Sequence, residues 1–154
     1  FVACWPNGIT AKGEVRHTPG HVIDFVPTVL ELATEKAPAK PPVAGAPEFP
    51  GRSLAPLFAR DGAIARDSLW WQHEGNRALR VGDWKIVAAG KDAAWELYDL
   101  KADPTETRDL AKDHPERVRE LAAAWQTQTD AYATLANKDA PPAPKKGPPA
   151  GGQR

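Results

Sequence analysis

The chain has 154 residues, with 20 Lys and Arg balanced by 20 Asp and Glu, and this neutrality excludes a global field favouring nucleic acid or an anionic membrane. Its length allows roughly 68–70% of the unfolded surface to be buried, and no apolar run approaches the roughly 20 residues needed to span a bilayer. A single cysteine excludes an internal disulfide and a cysteine-rich zinc site.

Phe1-Val2-Ala3-Cys4-Trp5 is short, apolar and aromatic and is broken by Pro6-Asn7-Gly8, which predicts a buried strand ending in a turn. With no methionine in the chain, Phe1 reads as a cut inside a longer polypeptide, and Cys4 reads as a small buried hydrophobe. His17 and His21 stand four apart, but Pro19 and Gly20 between them break the helix that would aim both at one metal. Asp24 is positioned to cap a helix carrying Val26, Val29, Leu30 and Ala33 to about Glu35, with Pro27 tolerated in its first turn. Pro38, Pro41, Pro42, Pro47 and Pro50 make residues 36–50 an extended surface connection. Leu54, Leu57 and Phe58 then mark a short helical turn.

From Asp67 to Leu100 the pattern turns strand-like, near 68–73, 76–81, 83–89 and 94–99, which implies an antiparallel sheet. Asp103 with Glu106 over Pro104, and Asp113 with Glu116, are capping-box pairs that signal two helix starts. Val118, Leu121, Ala122, Trp125, Thr129 and Tyr132 form one stripe, so a helix over about 114–135 should lie on the sheet. The Pro-rich end beyond Asn137 cannot bury apolar area and should be a disordered tail. The expected class is therefore α+β: a small four-stranded antiparallel sheet packed against a long C-terminal helix, preceded by a strand and helix belonging to a larger α/β domain. The expected divisions are 1–35, a connecting segment 36–66, a sheet-plus-helix subdomain 67–136 and a tail 137–154.

His73, Glu74, Asn76 and Arg77 are the candidate substrate contacts. Groups of both charges at a glycine-containing turn can face a pocket, with His73 and Arg77 donating to anionic oxygens and Glu74 orienting them. An ordinary hairpin with solvated charges is the alternative, because turns attract such residues. Trp70, Trp71, Trp84, Trp95 and Trp125 would suit a sugar-stacking platform, although strand alternation and the helical stripe turn most of them inward. Arg80, Asp83 and Lys85 read as cross-strand surface pairs. Asp99, Asp103 and Glu106 lack the alternating acidic ligands and mid-loop glycine of a calcium loop. Lys145-Lys146 is too small a basic cluster for nucleic acid.

Taken in order, Trp5-Pro6-Asn7-Gly8, His21-Val22-Ile23-Asp24 with Pro27-Thr28, Gly51-Arg52-Ser53-Leu54, His73-Glu74-Gly75-Asn76-Arg77, Gly82-Asp83-Trp84-Lys85, Trp95-Glu96-Leu97-Tyr98-Asp99-Leu100 and Asp103-Pro104-Thr105-Glu106-Thr107 resemble the C-terminal part of the sulfatases. These are arylsulfatase-like, formylglycine-dependent enzymes of the alkaline phosphatase superfamily. The resemblance spans Phe1 to about Leu135. It implies an upstream N-terminal sulfatase domain that carries a formylglycine nucleophile and a Ca2+ ion, and a sulfated small molecule or polysaccharide as substrate. It also implies a periplasmic or secreted setting, with this chain completing the fold and the pocket rim without being catalytic alone. The family matures a cysteine or serine within Cys-x-Pro-x-Arg, whereas Asn7 and Gly8 follow Pro6 here. The family's paired calcium aspartates and its sulfate-binding lysines and histidines have no counterpart motifs in this sequence, so no catalytic residue and no metal ligand are assigned. A superfamily phosphodiesterase or phosphonate hydrolase, and a non-enzymatic carbohydrate-binding module, are the competing readings.

Overall fold

The computed structural model describes residues 1–36 and 39–138. Pro38, the expected tail from residue 139 onward and Lys145-Lys146 lie outside the described residues. Two compact units divide the chain, one over 1–69 and one from Trp70 onward.

The first unit is organised around polar groups. A 3-10 turn, Val22–Asp24, runs into helix α1, Phe25–Thr34, which stops at Glu35 with φ 57°. Pro27 sits in the first turn, where its missing N–H costs no helical bond. Asp24 does not cap α1, contrary to the expectation. His21 caps the 3-10 turn instead, its Nδ1 accepting from the Ile23 N–H at 3.3 Å, while the Asp24 carboxylate accepts from the His21 N–H at 2.7 Å. The helix buries Pro27 and Thr28, and Val26 and Val29 of the anticipated apolar stripe are exposed. Residues 1–5 form no strand, because a strand needs a neighbour to satisfy its backbone and none pairs with them among the described residues. Cys4 is accordingly exposed rather than buried. A short helix α2, Ala55–Ala59, follows, with Leu54 and Leu57 buried.

The second unit is organised by apolar burial. Strands β1 (Leu69–His73), β2 (Asn76–Val81), β3 (Trp84–Ala88) and β4 (Glu96–Asp99) form a four-stranded antiparallel sheet in sequence order. Leu79 lies opposite Ile86, and Ile86 opposite Leu97, so one face carries a row of aliphatic side chains. Helix α3, Pro115–Lys138, covers this row with Leu121 and Trp125. Those two residues fall on the stripe read from the sequence, and the helix continues through Asn137 and Lys138. It starts at Pro115, one residue later than an Asp113 cap requires, and Asp113 instead lies 3.7 Å from Arg108.

No helix begins at Asp103, contrary to the capping-box reading. Its carboxylate accepts from the N–H groups of Thr107 and Arg108 at 2.7 and 2.9 Å, closing a loop in which Glu106 takes φ 58° and turns its carboxylate to Lys85 at 2.6 Å. Farther along, Leu97 donates to Asp109 Oδ1 at 2.9 Å and accepts from the Leu110 N–H at 2.8 Å, so residues 109–110 occupy the outer side of β4.

Candidate functional site

The β1–β2 connection is a two-residue turn in which Glu74 and Gly75 both have positive φ, 48° and 88°. This pattern matches the right-handed twist of the flanking strands, and it favours glycine at the second position. A side chain at Gly75 would also crowd the Lys91 N–H, with a Cβ only 3.1 Å away. The turn is therefore pressed against the β3–β4 connection.

Strand alternation then separates the four candidate residues. Trp70 faces α3, its indole donating to Thr129 Oγ1 at 3.0 Å, so Gln72 shares that face and Trp71 and His73 project from the other. On β2, Leu79 and Arg77 face α3, while Asn76 and Ala78 face away. His73 and Asn76 thus stand together on the face away from α3, with Glu74 at the tip. His73 and Glu74 have 83% and 81% exposed side chains and approach to 3.8 Å. Arg77 is apart from them. Its guanidinium donates to the carbonyls of Gly90, Lys91 and Ala93 at 2.8–2.9 Å and lies 4.6 Å above the Trp95 ring, so its donors hold the loop at 90–93.

The face carrying His73 and Asn76 also bears Arg80, Lys85, Glu96 and Tyr98. The Tyr98 hydroxyl donates to Glu96 at 2.6 Å, and this bond, with burial and the surrounding carboxylates, pushes the phenol well above its ordinary value. In the sequence Lys85 reads as half of a surface pair, and Tyr98 carries no sign of a role. The strand pairing Lys85↔Tyr98 brings the two together, and only the period-two pattern along β3 and β4 could have signalled it.

The tryptophans of this unit are mostly walls rather than a platform. Trp70 stacks on Trp125 at 6.3 Å, Trp95 meets Trp125 edge-on at 5.6 Å, and the Trp125 indole donates to the Trp71 carbonyl at 3.2 Å. On the α3 side, Gln72, Gly75, Arg77, Lys91, Trp95, Ala122, Trp125 and Gln126 enclose a cleft of about 440 Å³.

The first unit contains a buried ion pair. Asp24 is 0% exposed; besides His21 it accepts from the Arg52 N–H at 2.8 Å and from Arg66 Nη2 at 2.6 Å. Thr28 Oγ1 donates to the Asp24 carbonyl and accepts from the Leu54 N–H, at 2.6 and 2.8 Å. Gly51 passes so close to the Ile23 carbonyl that a side chain there would collide with backbone. Asp61 closes a second loop, accepting from the N–H groups of His17, Thr18 and Gly62 and from the Thr18 hydroxyl. Those bonds, the hydroxyl foremost, hold its carboxyl well below the usual range. A separate hollow of about 700 Å³ in this unit is lined largely by apolar side chains such as Val2, Ile9, Phe25, Leu54 and Phe58.

Calcium and formylglycine do not fit the described residues. No three His, Cys, Asp or Glu side chains converge among them, and Cys4 lacks the downstream arginine. No described helix is long and apolar enough to cross a membrane. What the arrangement offers is hydrogen-bonding side chains, His73 and Asn76, beside Arg80, with the Lys85 charge already paired to Glu106.

A family profile described as N-sulphoglucosamine sulphohydrolase, C-terminal, matches residues 1–132. An uncharacterised sulfatase of Schizosaccharomyces pombe is 34% identical over 117 residues, 68% of this chain and 20% of that protein. A sulfatase of Formosa agariphila is 28% identical over 88% of this chain and 26% of its own length. An N-acetylgalactosamine-6-O-sulfatase of Bacteroides thetaiotaomicron is 43% identical over 53 residues, 34% of this chain and 10% of that protein. The chain thus spans about a quarter or less of these relatives. Among solved structures, one described as bound to its substrate D-glucosamine-2-N,6-O-disulfate superposes with a TM-score of 0.51 at 23% identity, over 72% of this chain and 24% of that one, a likeness of fold.

Proposed function

This chain belongs to the N-sulphoglucosamine sulphohydrolase C-terminal family and corresponds to the C-terminal portion of a sulfatase, and we propose on that premise that it completes an enzyme hydrolysing sulfate esters of sugars. In this reading an upstream domain supplies the formylglycine nucleophile and Ca2+, neither of which fits the described residues. The chain contributes the end of the α/β domain through residue 35, a connection through 66 and the sheet-plus-helix subdomain that follows. His73, Glu74 and Asn76 line the pocket rim, and Arg77 supports them by fixing the loop at 90–93.

The observation that carries this reading is the split at the hairpin. The two-residue turn projects His73 and Asn76 on one face of the sheet, beside Arg80, where donors can meet a sulfated substrate, while the Lys85 ammonium on that face is paired to Glu106. The names of two Bacteroides relatives, N-acetylgalactosamine-6-O-sulfatase and N-acetylglucosamine-6-O-sulfatase, support an amino-sugar 6-sulfate as the substrate class. Those bacterial relatives also support a periplasmic or secreted setting.

The test uses the full-length protein containing this chain. Sulfate release from N-acetylglucosamine 6-sulfate or 4-nitrophenyl sulfate is expected, with His73→Ala and Asn76→Ala raising KM about tenfold and changing kcat less. Turnover of bis(4-nitrophenyl) phosphate without sulfate release would replace this reading with a superfamily phosphodiesterase. Unchanged KM in both variants would remove the rim assignment while leaving the class intact.

A further inference from the structure

The cleft on the α3 side of the sheet lies on the opposite face from His73 and Asn76, and the proposed rim does not use it. Its walls are fixed. The three carbonyls bonded by Arg77 and the Arg77–Trp95 contact pin one side, and the indole of Trp125, tied to the Trp71 carbonyl, pins the other. Its polar groups are available. Among the described residues, the Lys91 ammonium has no ion-pair partner and the Gln72 amide no hydrogen bond, while the Gln126 amide is held in place by donating to Asp130 at 2.7 Å. A volume of about 440 Å³ falls in the range of pre-formed small-ligand sites and accommodates one sugar ring.

We propose that this cleft, made by Gln72, Lys91, Trp95 and Gln126, is a second saccharide site that holds an anionic sugar unit of a longer substrate away from the reacting ester. Lys91 meets the carboxylate or sulfate of the sugar. Gln72 and the remaining carbonyl capacity of Gln126 meet ring hydroxyls, and the Trp95 and Trp125 indoles supply the apolar wall against which C–H edges of the ring pack. Arg77 is not the anion's partner, since its donors are already committed to carbonyls. The site rests on the reading of the full protein as acting on sulfated saccharides, and it adds a place for a part of the chain that does not react. Multipoint attachment of this kind raises affinity for long substrates over short ones without a new contact at the reacting centre.

The test is direct binding to the full-length protein, read by calorimetry and by tryptophan fluorescence rather than by turnover. The probes are a heparin-derived hexasaccharide, the same oligosaccharide after desulfation, and sodium sulfate. Lys91→Glu is expected to weaken hexasaccharide binding about fivefold, the upper end for one exposed ion pair, and to lower its salt dependence. Gln72→Ala with Gln126→Ala should weaken both oligosaccharides. Thermal melting checks that each variant still folds, and Lys91→Arg, which keeps the charge, should restore most of the affinity. If sodium sulfate competes as well as the hexasaccharide, the cleft binds a free anion and the saccharide assignment fails. The proposal also fails if Lys91→Glu binds the hexasaccharide as the parent does, or if His73→Ala with Asn76→Ala removes all binding. Loss of the sulfatase reading would appear separately, as hexasaccharide binding without any sulfate release.

Discussion

Residues 1–69 and the unit that follows are held by different physics. In the first, the deepest group is a carboxylate, Asp24, whose oxygens gather His21, Arg52 and Arg66, while Phe25, Val26 and Val29 remain exposed. In the second, Leu79, Ile86 and Leu97 are buried beneath Leu121 and Trp125, and the polar groups serve the loops. A polar hub specifies geometry through directional bonds, whereas an apolar core supplies most of its free energy without direction. Substitutions should therefore act differently in the two units.

The largest effect is expected at the hub. Asp24→Ala leaves the Arg66 guanidinium, already with an unpartnered Nε, buried beside two orphaned N–H groups, and should cost about 3–5 kcal/mol. Denaturant unfolding of the full-length protein measures this, and a cost below about 1 kcal/mol would show that the hub is dispensable. Leu97→Ala, at a fully buried site, should cost about 2–5 kcal/mol through lost burial and a residual cavity, with melting temperature as the readout. Gly51→Ala should cost roughly 1–3 kcal/mol, because the Ile23 carbonyl must move to admit a methyl group. Its amide-exchange signature should stay within residues 21–54 if the two units respond separately.

The smallest effects concern two half-buried loop carboxylates, one in each unit. Asp61 and Asp103 both have carboxyls depressed below the ordinary 3.8 by hydrogen bonds, Asp61 chiefly from the Thr18 hydroxyl and Asp103 chiefly from the Arg108 N–H. A depressed folded-state value means that their contribution is fully present above about pH 3.8 and is lost as pH falls below it toward the folded value. Protection at His17, Thr18 and Gly62 should fall in that window and be insensitive to it in Asp61→Asn. Asp103→Asn should do the same at Thr107 and Arg108. If either variant leaves the acid response of its loop unchanged, hydrogen bonding to that carboxylate is not what closes it.

How much of this was legible follows from the range of each interaction. The four strands and α3 announce themselves through period-two runs and through the stripe Leu121–Trp125, both local signals. The Asp103 motif misled because a capping box and a carboxylate-closed loop share their spacing. Glu106 decides between them by adopting positive φ and pairing with Lys85, 21 residues away. Asp24 reads as a cap for a similar reason, since its partners Arg52 and Arg66 lie 28 and 42 residues downstream. Residues 1–5 have the composition of a strand, but composition does not provide a partner. At the candidate site, the cluster from His73 to Arg77 was visible as a cluster. Its division between two faces follows from the turn length, which sets which residues share a side.

The attachment of residues 109–110 along β4 has a consequence for solution behaviour. Both main-chain groups of Leu97 that point away from β3 are already engaged, so a stray extended peptide finds no vacant register on that border. Strand-by-strand templating, the route by which exposed sheets seed insoluble aggregates, is thereby blocked at Leu97 on the β4 border.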